Sequence, residues 1–252
     1  MPTLVGAAVA TALAALPLAA VTAPAPDLAD LHGPRDVLSD FVAEVRAGAD
    51  VVRGTVVRDV VLFGVGVNLA VVPYSLLLAT LGWEAFGVAL AYGVLRGALA
   101  AGKLLGNHAV PVVPWSREET YVAGVLSVGI AALGVAVLGT LVAGFPTTAR
   151  LAVVAAAVFV LGGFQPLFNV PSDSLVQLAA DDDDRGTVVA LANAVLQLPF
   201  PVALLGAGYL TASHSPFLVF ALSGCLLLAV GVAAAVRFDV VGETADAGET
   251  TT

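Results

Sequence analysis

The chain has 252 residues, of which 59% are hydrophobic and 12% charged, about half the charged content of an average soluble domain. With a mean hydropathy of +0.99, this composition excludes a water-soluble globule and makes the lipid bilayer the natural solvent. The formal charge of -9 argues against nucleic-acid binding, and Cys225, the single cysteine, cannot close an intrachain disulfide.

A membrane helix needs about 20 mostly apolar residues, because each rises about 1.5 Å across a hydrocarbon layer roughly 30 Å thick. Seven runs meet that length: residues 4–22, 60–81, 85–105, 120–143, 151–171, 187–212 and 216–236. The first is Ala-rich and contains Pro17. It reads as a span, with a signal peptide as the rival, although Met1, Pro2 and Thr3 supply no basic leader.

Residues 26–58 form the one long connection. Val37, Leu38, Phe41, Val42, Val45, Val52 and Val56 recur there at helical spacing among charged residues. Two readings stand: an amphipathic helix lying on the membrane surface, or a solvated linker helix. The expected organisation is a first transmembrane helix in 1–25, a cytoplasmic linker in 26–58, a six-helix bundle in 59–237 and a disordered acidic tail in 238–252. The fold class is all-α, a polytopic membrane bundle of about seven transmembrane helices.

All nineteen acidic residues fall outside the seven runs, and Arg96 is the one basic residue deep within a run. Alternating sides from the first run places Arg35, Arg46, Arg53, Arg58, Lys103, Arg117, Arg185 and Arg237 together, opposite Arg150. The side rich in basic residues is expected to be cytoplasmic, which puts the C-terminus on the cytoplasmic side of a cell membrane. The acidic run Asp181–Asp184 reads as a solvated loop with Arg185 as its partner, since four consecutive aspartates lack the alternating ligands of a calcium loop.

Six spans preceded by one span and a long linker resemble the C-terminal half of the major facilitator superfamily, with the last helix of the N-terminal half attached. Residues 41–59, FVAEVRAGADVVRGTVVRD, are similar to the linker of its drug- and siderophore-efflux branch. Residues 164–208 are similar to that branch's tenth and eleventh helices: Gln165-Pro166, Asn169-Val170-Pro171 and Gln177, then an acidic loop closed by Arg185-Gly186, then Pro199, Pro201 and Gly208. The resemblance implies a secondary efflux carrier whose two bundles rock around a midplane cavity. It also implies an incomplete carrier, because five helices and the basic loop of the first half are absent from this sequence, and roughly 400 residues would be needed for twelve such spans. Such a chain is expected not to transport alone.

Polar groups within spans are costly and mark pathways or interhelical contacts. Arg96 has no carboxylate in any run and requires a water-filled cavity, a second bundle or backbone carbonyls. Tyr92 lies one turn before it, in reach of a ring contact. Asn193 and Gln197 share a helix face ahead of Pro199 and Pro201, where freed carbonyls favour either a substrate site or amide-mediated helix contact. Gln165 and Asn169 have the same spacing around Pro166, near the cytoplasmic end, where capping or gating competes with substrate contact in the pathway. Asn68 and Ser75, with Tyr74 beside Pro73, read equally as cavity lining or packing. The series Ala89, Gly93, Gly97, Ala101 and the pair Gly102 and Gly106 permit close helix approach.

His32, His108 and His214 lie far apart and give no metal-ligand spacing, and no phosphate-loop pattern occurs. No enzyme, cofactor or metal is therefore expected. The expected partners are the bilayer and an N-terminal half or second membrane polypeptide, with a small-molecule substrate unspecified. A non-transporting membrane subunit or scaffold is the alternative.

Overall fold

The computed structural model describes residues 56–87, 89–178 and 185–238, all helices and short connections. The first run, the linker up to residue 55, the aspartate run 181–184 and the tail from 239 lie outside the described residues. Eight α-helices follow in order: α1 Val56–Phe86, α2 Ala89–Ala109, α3 Arg117–Leu141, α4 Thr147–Phe164, α5 Pro166–Leu178, α6 Arg185–Gln197, α7 Pro199–Ser213 and α8 Pro216–Arg237.

Local chemistry sets the boundaries. Gly87 takes φ +68°, the left-handed conformation glycine adopts at little cost, and its N–H donates to Trp83 O at 2.9 Å to end α1. A capping box opens α3: Glu119 N donates to Ser116 Oγ at 3.1 Å and Ser116 N to Glu119 Oε2 at 2.7 Å. Ser215 caps α8 just before Pro216, whose fixed φ suits a first helical position.

Prolines divide two of the expected spans. Pro166 cannot donate to Gly162 O, and Gln165 N takes that acceptor instead at 3.2 Å, separating α4 from α5. Pro199 likewise leaves Val195 O to Leu198 N at 3.1 Å, separating α6 from α7. Each pair still forms one apolar stretch, so among the described residues five segments are long and apolar enough to cross a bilayer: Val57–Phe86, Arg117–Gly144, Thr147–Leu178, Val188–Ala212 and Pro216–Arg237.

Six spans were expected after residue 59, and five segments of the described residues qualify on length and apolarity. The run 85–105 does form a helix, α2, but Arg96 and Lys103 dilute it and it is not among the five. The helices also extend beyond the seven apolar runs. The apolar stretches run past the points where polar residues first appear, so they take in Asp59, Glu84, Glu118, Glu119 and Asp173. The first four lie near helix ends, where a side chain reaches the interface, whereas Asp173 stands within α5.

Counting α4–α5 and α6–α7 each as one segment, the helices alternate in direction. Val57, Val60 and Val61 of α1, Leu175 and Val176 of α5, and Val188 and Ala192 of α6 form one buried cluster with Phe238 packed against it. Tyr121, early in α3, meets the Phe238 ring edge-on at 6.2 Å, so these helix ends lie together at one end of the bundle. Asp59 in the first turn of α1 pairs with Arg237 in the last turn of α8 at 3.0 Å, each charge opposing its own helix dipole.

Packing depends on small residues, as it must where lipid removes the hydrophobic drive between helices. A Cβ on Gly102 or Gly106 of α2 would strike the backbone of Phe159 or Gly163 of α4. Gly129 of α3 and Gly224 of α8 face each other's backbones in the same way. The core centres on Tyr74, Leu78, Leu81, Leu95, Tyr121, Leu161, Phe220 and Leu227, all fully buried.

Candidate functional site

The polar residues expected in the spans divide into a buried, bonded set and an exposed set. The buried set begins with Tyr74, near the middle of α1. Its hydroxyl accepts from Gln165 Nε2 at 2.7 Å, and its ring stacks on Phe220 with centroids 5.5 Å apart and an interplanar angle of 24°. Gln165 is only 1% exposed. The side chain of Gln165, expected to serve capping, gating or substrate contact, lies in the core, where it ties the α4–α5 junction to α1. Asn169, whose N–H donates to Gln165 O at 3.2 Å, is exposed on α5.

Asn68, one and a half turns before Tyr74, donates from Nδ2 to Leu196 O at 2.9 Å. Leu196 is the penultimate residue of α6, next to the proline break, so the amide holds α1 against the interruption between α6 and α7. Of the two readings for this face of α1, packing describes both Asn68 and Tyr74. Pro73 lines a cleft of about 260 Å³ between α1, α7 and α8, but its neighbours Leu69, Val202, Gly206 and Val219 make it predominantly apolar.

The exposed set lies on adjoining helices, since α2 touches α5 and α5 touches α6. Tyr92, 41% exposed, and Arg96 both stand open on α2. No ring contact joins them: the cation–ring contact among the described residues is Arg150 over Phe86 at 5.5 Å. Arg96 has no ion pair among the described residues. Gly93 and Gly97 meet nothing within 4 Å, so the close approach expected of the Ala89–Ala101 series occurs instead at Gly102 and Gly106. Lys103 follows Arg96 by two turns on the same side of α2, a second cation that the spacing i, i+7 makes legible.

Asn193 and Gln197 are both exposed on α6. Asn193 lines a small cleft of about 30 Å³ between α5 and α6, together with Ser172, Asp173 and Gln177. That volume is about that of one water molecule, and three of these partners offer acceptors. Asp173 is the polar residue that sequence reasoning missed. Its signal was present: Pro171, Asp173 and Gln177 continue the helical register beyond the last long apolar run, with Asp173 and Gln177 one turn apart. Arg185 donates from Nε to Gln177 O at 3.0 Å, a contact with α5 backbone.

Chemically, these groups can bind and orient a polar solute, and Asp173 can exchange a proton. Among the described residues no three His, Cys, Asp or Glu side chains are grouped to hold a metal ion. No family model, curated protein or solved structure matches the chain.

Proposed function

We propose that this chain is one helical bundle of a secondary transporter of the major facilitator type, most similar to its efflux branch. On this reading α2 is a sixth transmembrane span beside the five apolar segments, and the run 4–22 is a seventh. The bundle works against a second one, supplied by the same polypeptide or by another, in a cell membrane with the C-terminus of the chain cytoplasmic.

The observation that carries the reading is Arg96. A guanidinium facing hydrocarbon costs several kcal/mol, yet Arg96 is exposed on α2 with Tyr92 one turn away and open glycines at 93 and 97. A water-filled pathway closed by a second bundle removes that cost. Asn169, Asn193 and Gln197, exposed on the adjoining α5 and α6, suit the wall of the same pathway. Asn68, Tyr74 and Gln165 serve as its support, because their polar atoms are already engaged within the bundle. A substrate with an anionic group suits Arg96 and Lys103.

The same face supports a second reading, a non-transporting subunit or scaffold, because open glycines also suit a closely packed partner helix. Thiol cross-linking from Gly97→Cys in a Cys225→Ala background in native membranes tests both, position 97 being sterically free. Transport predicts links to a second bundle that change in yield when an organic anion is added. In proteoliposomes this chain alone is expected to give no gradient-driven uptake of a fluorescent organic anion. Uptake by the chain alone, or links insensitive to solute, contradicts the transport reading.

A further inference from the structure

At the end of the bundle opposite the Asp59–Arg237 pair, four helix ends enclose a cleft of about 380 Å³ that the pathway does not use. Glu84 comes from the end of α1, Thr140 from the end of α3, Arg150 from the first turn of α4, and Ser215 and Phe217 from the start of α8. This volume lies within the range of ligand sites.

The electrostatics of the cleft are unbalanced in a specific way. Arg150 sits in the first turn of α4, where the helix dipole already presents positive potential and a cation is disfavoured. The start of α8 adds a second positive dipole end to the same cleft. No side chain caps α4, whose N-cap is Pro146. The Arg150 ring contact with Phe86, at 5.5 Å, fixes the guanidinium in place, while its Nε is buried with no hydrogen-bond partner among the described residues. Glu84, across the cleft, is exposed and forms no ion pair with Arg150.

We propose that this cleft binds a zwitterionic phosphate–ammonium group, with the phosphate on Arg150 at the start of α8 and the ammonium on Glu84. A phosphate oxygen pairs with the guanidinium of Arg150 and answers both helix dipoles. An ammonium on the same ligand matches the carboxylate that Arg150 leaves unpaired. The cleft stands at helix ends, the level of lipid head groups, so the two sources of this chemistry are phosphatidylethanolamine and soluble phosphoethanolamine.

Native mass spectrometry of the full chain in detergent, titrated with phosphatidylethanolamine, phosphatidylglycerol, diacylglycerol and phosphoethanolamine, tests it. The proposal predicts at least tenfold preference for phosphatidylethanolamine over diacylglycerol and a several-fold preference over phosphatidylglycerol. Arg150→Gln should remove the first preference, and Glu84→Gln should remove the second while retaining the first. Glu84 is exposed, so E84Q keeps the test valid if R150Q does not fold. Comparable binding of phosphoethanolamine identifies a soluble source for the same chemistry, and its absence identifies the lipid. Equal binding of all three lipids, or unchanged preferences in both variants, overturns the proposal.

Discussion

Replacing Tyr74 with Phe removes one oxygen and little else. The ring stacked on Phe220 at 5.5 Å remains, so core packing is preserved. What is lost is the acceptor for Gln165 Nε2, 2.7 Å away on a side chain 1% exposed. An orphaned buried donor costs about 1–3 kcal/mol in water-soluble cores, whereas interhelical hydrogen bonds in membrane proteins average about 0.6 kcal/mol and reach about 1.7. Because Gln165 is sealed from water, the upper part of the membrane range applies, and Tyr74→Phe is expected to destabilise by about 1–2 kcal/mol. Gln165→Leu leaves the tyrosine hydroxyl orphaned and should cost a similar amount. The double variant has neither orphan and should lie within about 1 kcal/mol of the original chain, giving a coupling energy of about 1–2 kcal/mol. The assay is unfolding of the full chain in mixed micelles by titration with dodecyl sulfate, followed by helical circular dichroism. A double variant whose loss equals the sum of the singles would refute the idea that this bond holds the α4–α5 junction to α1.

Further outcomes follow from the packing. Gly106→Ala places a methyl group against the Gly163 carbonyl, and Gly102→Ala places one against that of Phe159; overpacking of this kind costs about 1–3 kcal/mol, while Gly97→Ala, in open space, should leave the same unfolding midpoint unchanged. Ser116→Ala removes half of the capping box on α3 and should cost about 1 kcal/mol in that titration. Asp59→Asn should cost about 0.5–1 kcal/mol, with the difference shrinking as salt rises, because Arg237 is 62% exposed and the pair is screened.

Much of the helical framework is legible in the sequence because its causes are local. Run length marks the spans, Pro166 and Pro199 mark their interruptions, and Ser116 with Glu119 announces the start of α3. Gly102 and Gly106 are correctly readable as a site of close approach, but Gly93 and Gly97 share the same spacing and meet nothing. Spacing alone says that a face is smooth, not which helix lies against it. The site is less legible for the same reason. Tyr74 and Gln165 are 91 positions apart, and Asn68 and Leu196 are 128 apart, so no periodicity links them. Asp173 escapes notice because a run that ends at Pro171 on composition continues as helix to Leu178.

A transport pathway along α2 requires water to reach its exposed face, and cysteine accessibility in native membranes measures that directly. In a Cys225→Ala background, Gly97→Cys and Asn193→Cys are compared with Ile130→Cys, a position 64% exposed on apolar α3, using a water-soluble maleimide. The account predicts that positions 97 and 193 label at least tenfold faster than position 130. Equal, slow labelling at all three would place α2 and α6 against lipid or a dry interface and contradict it.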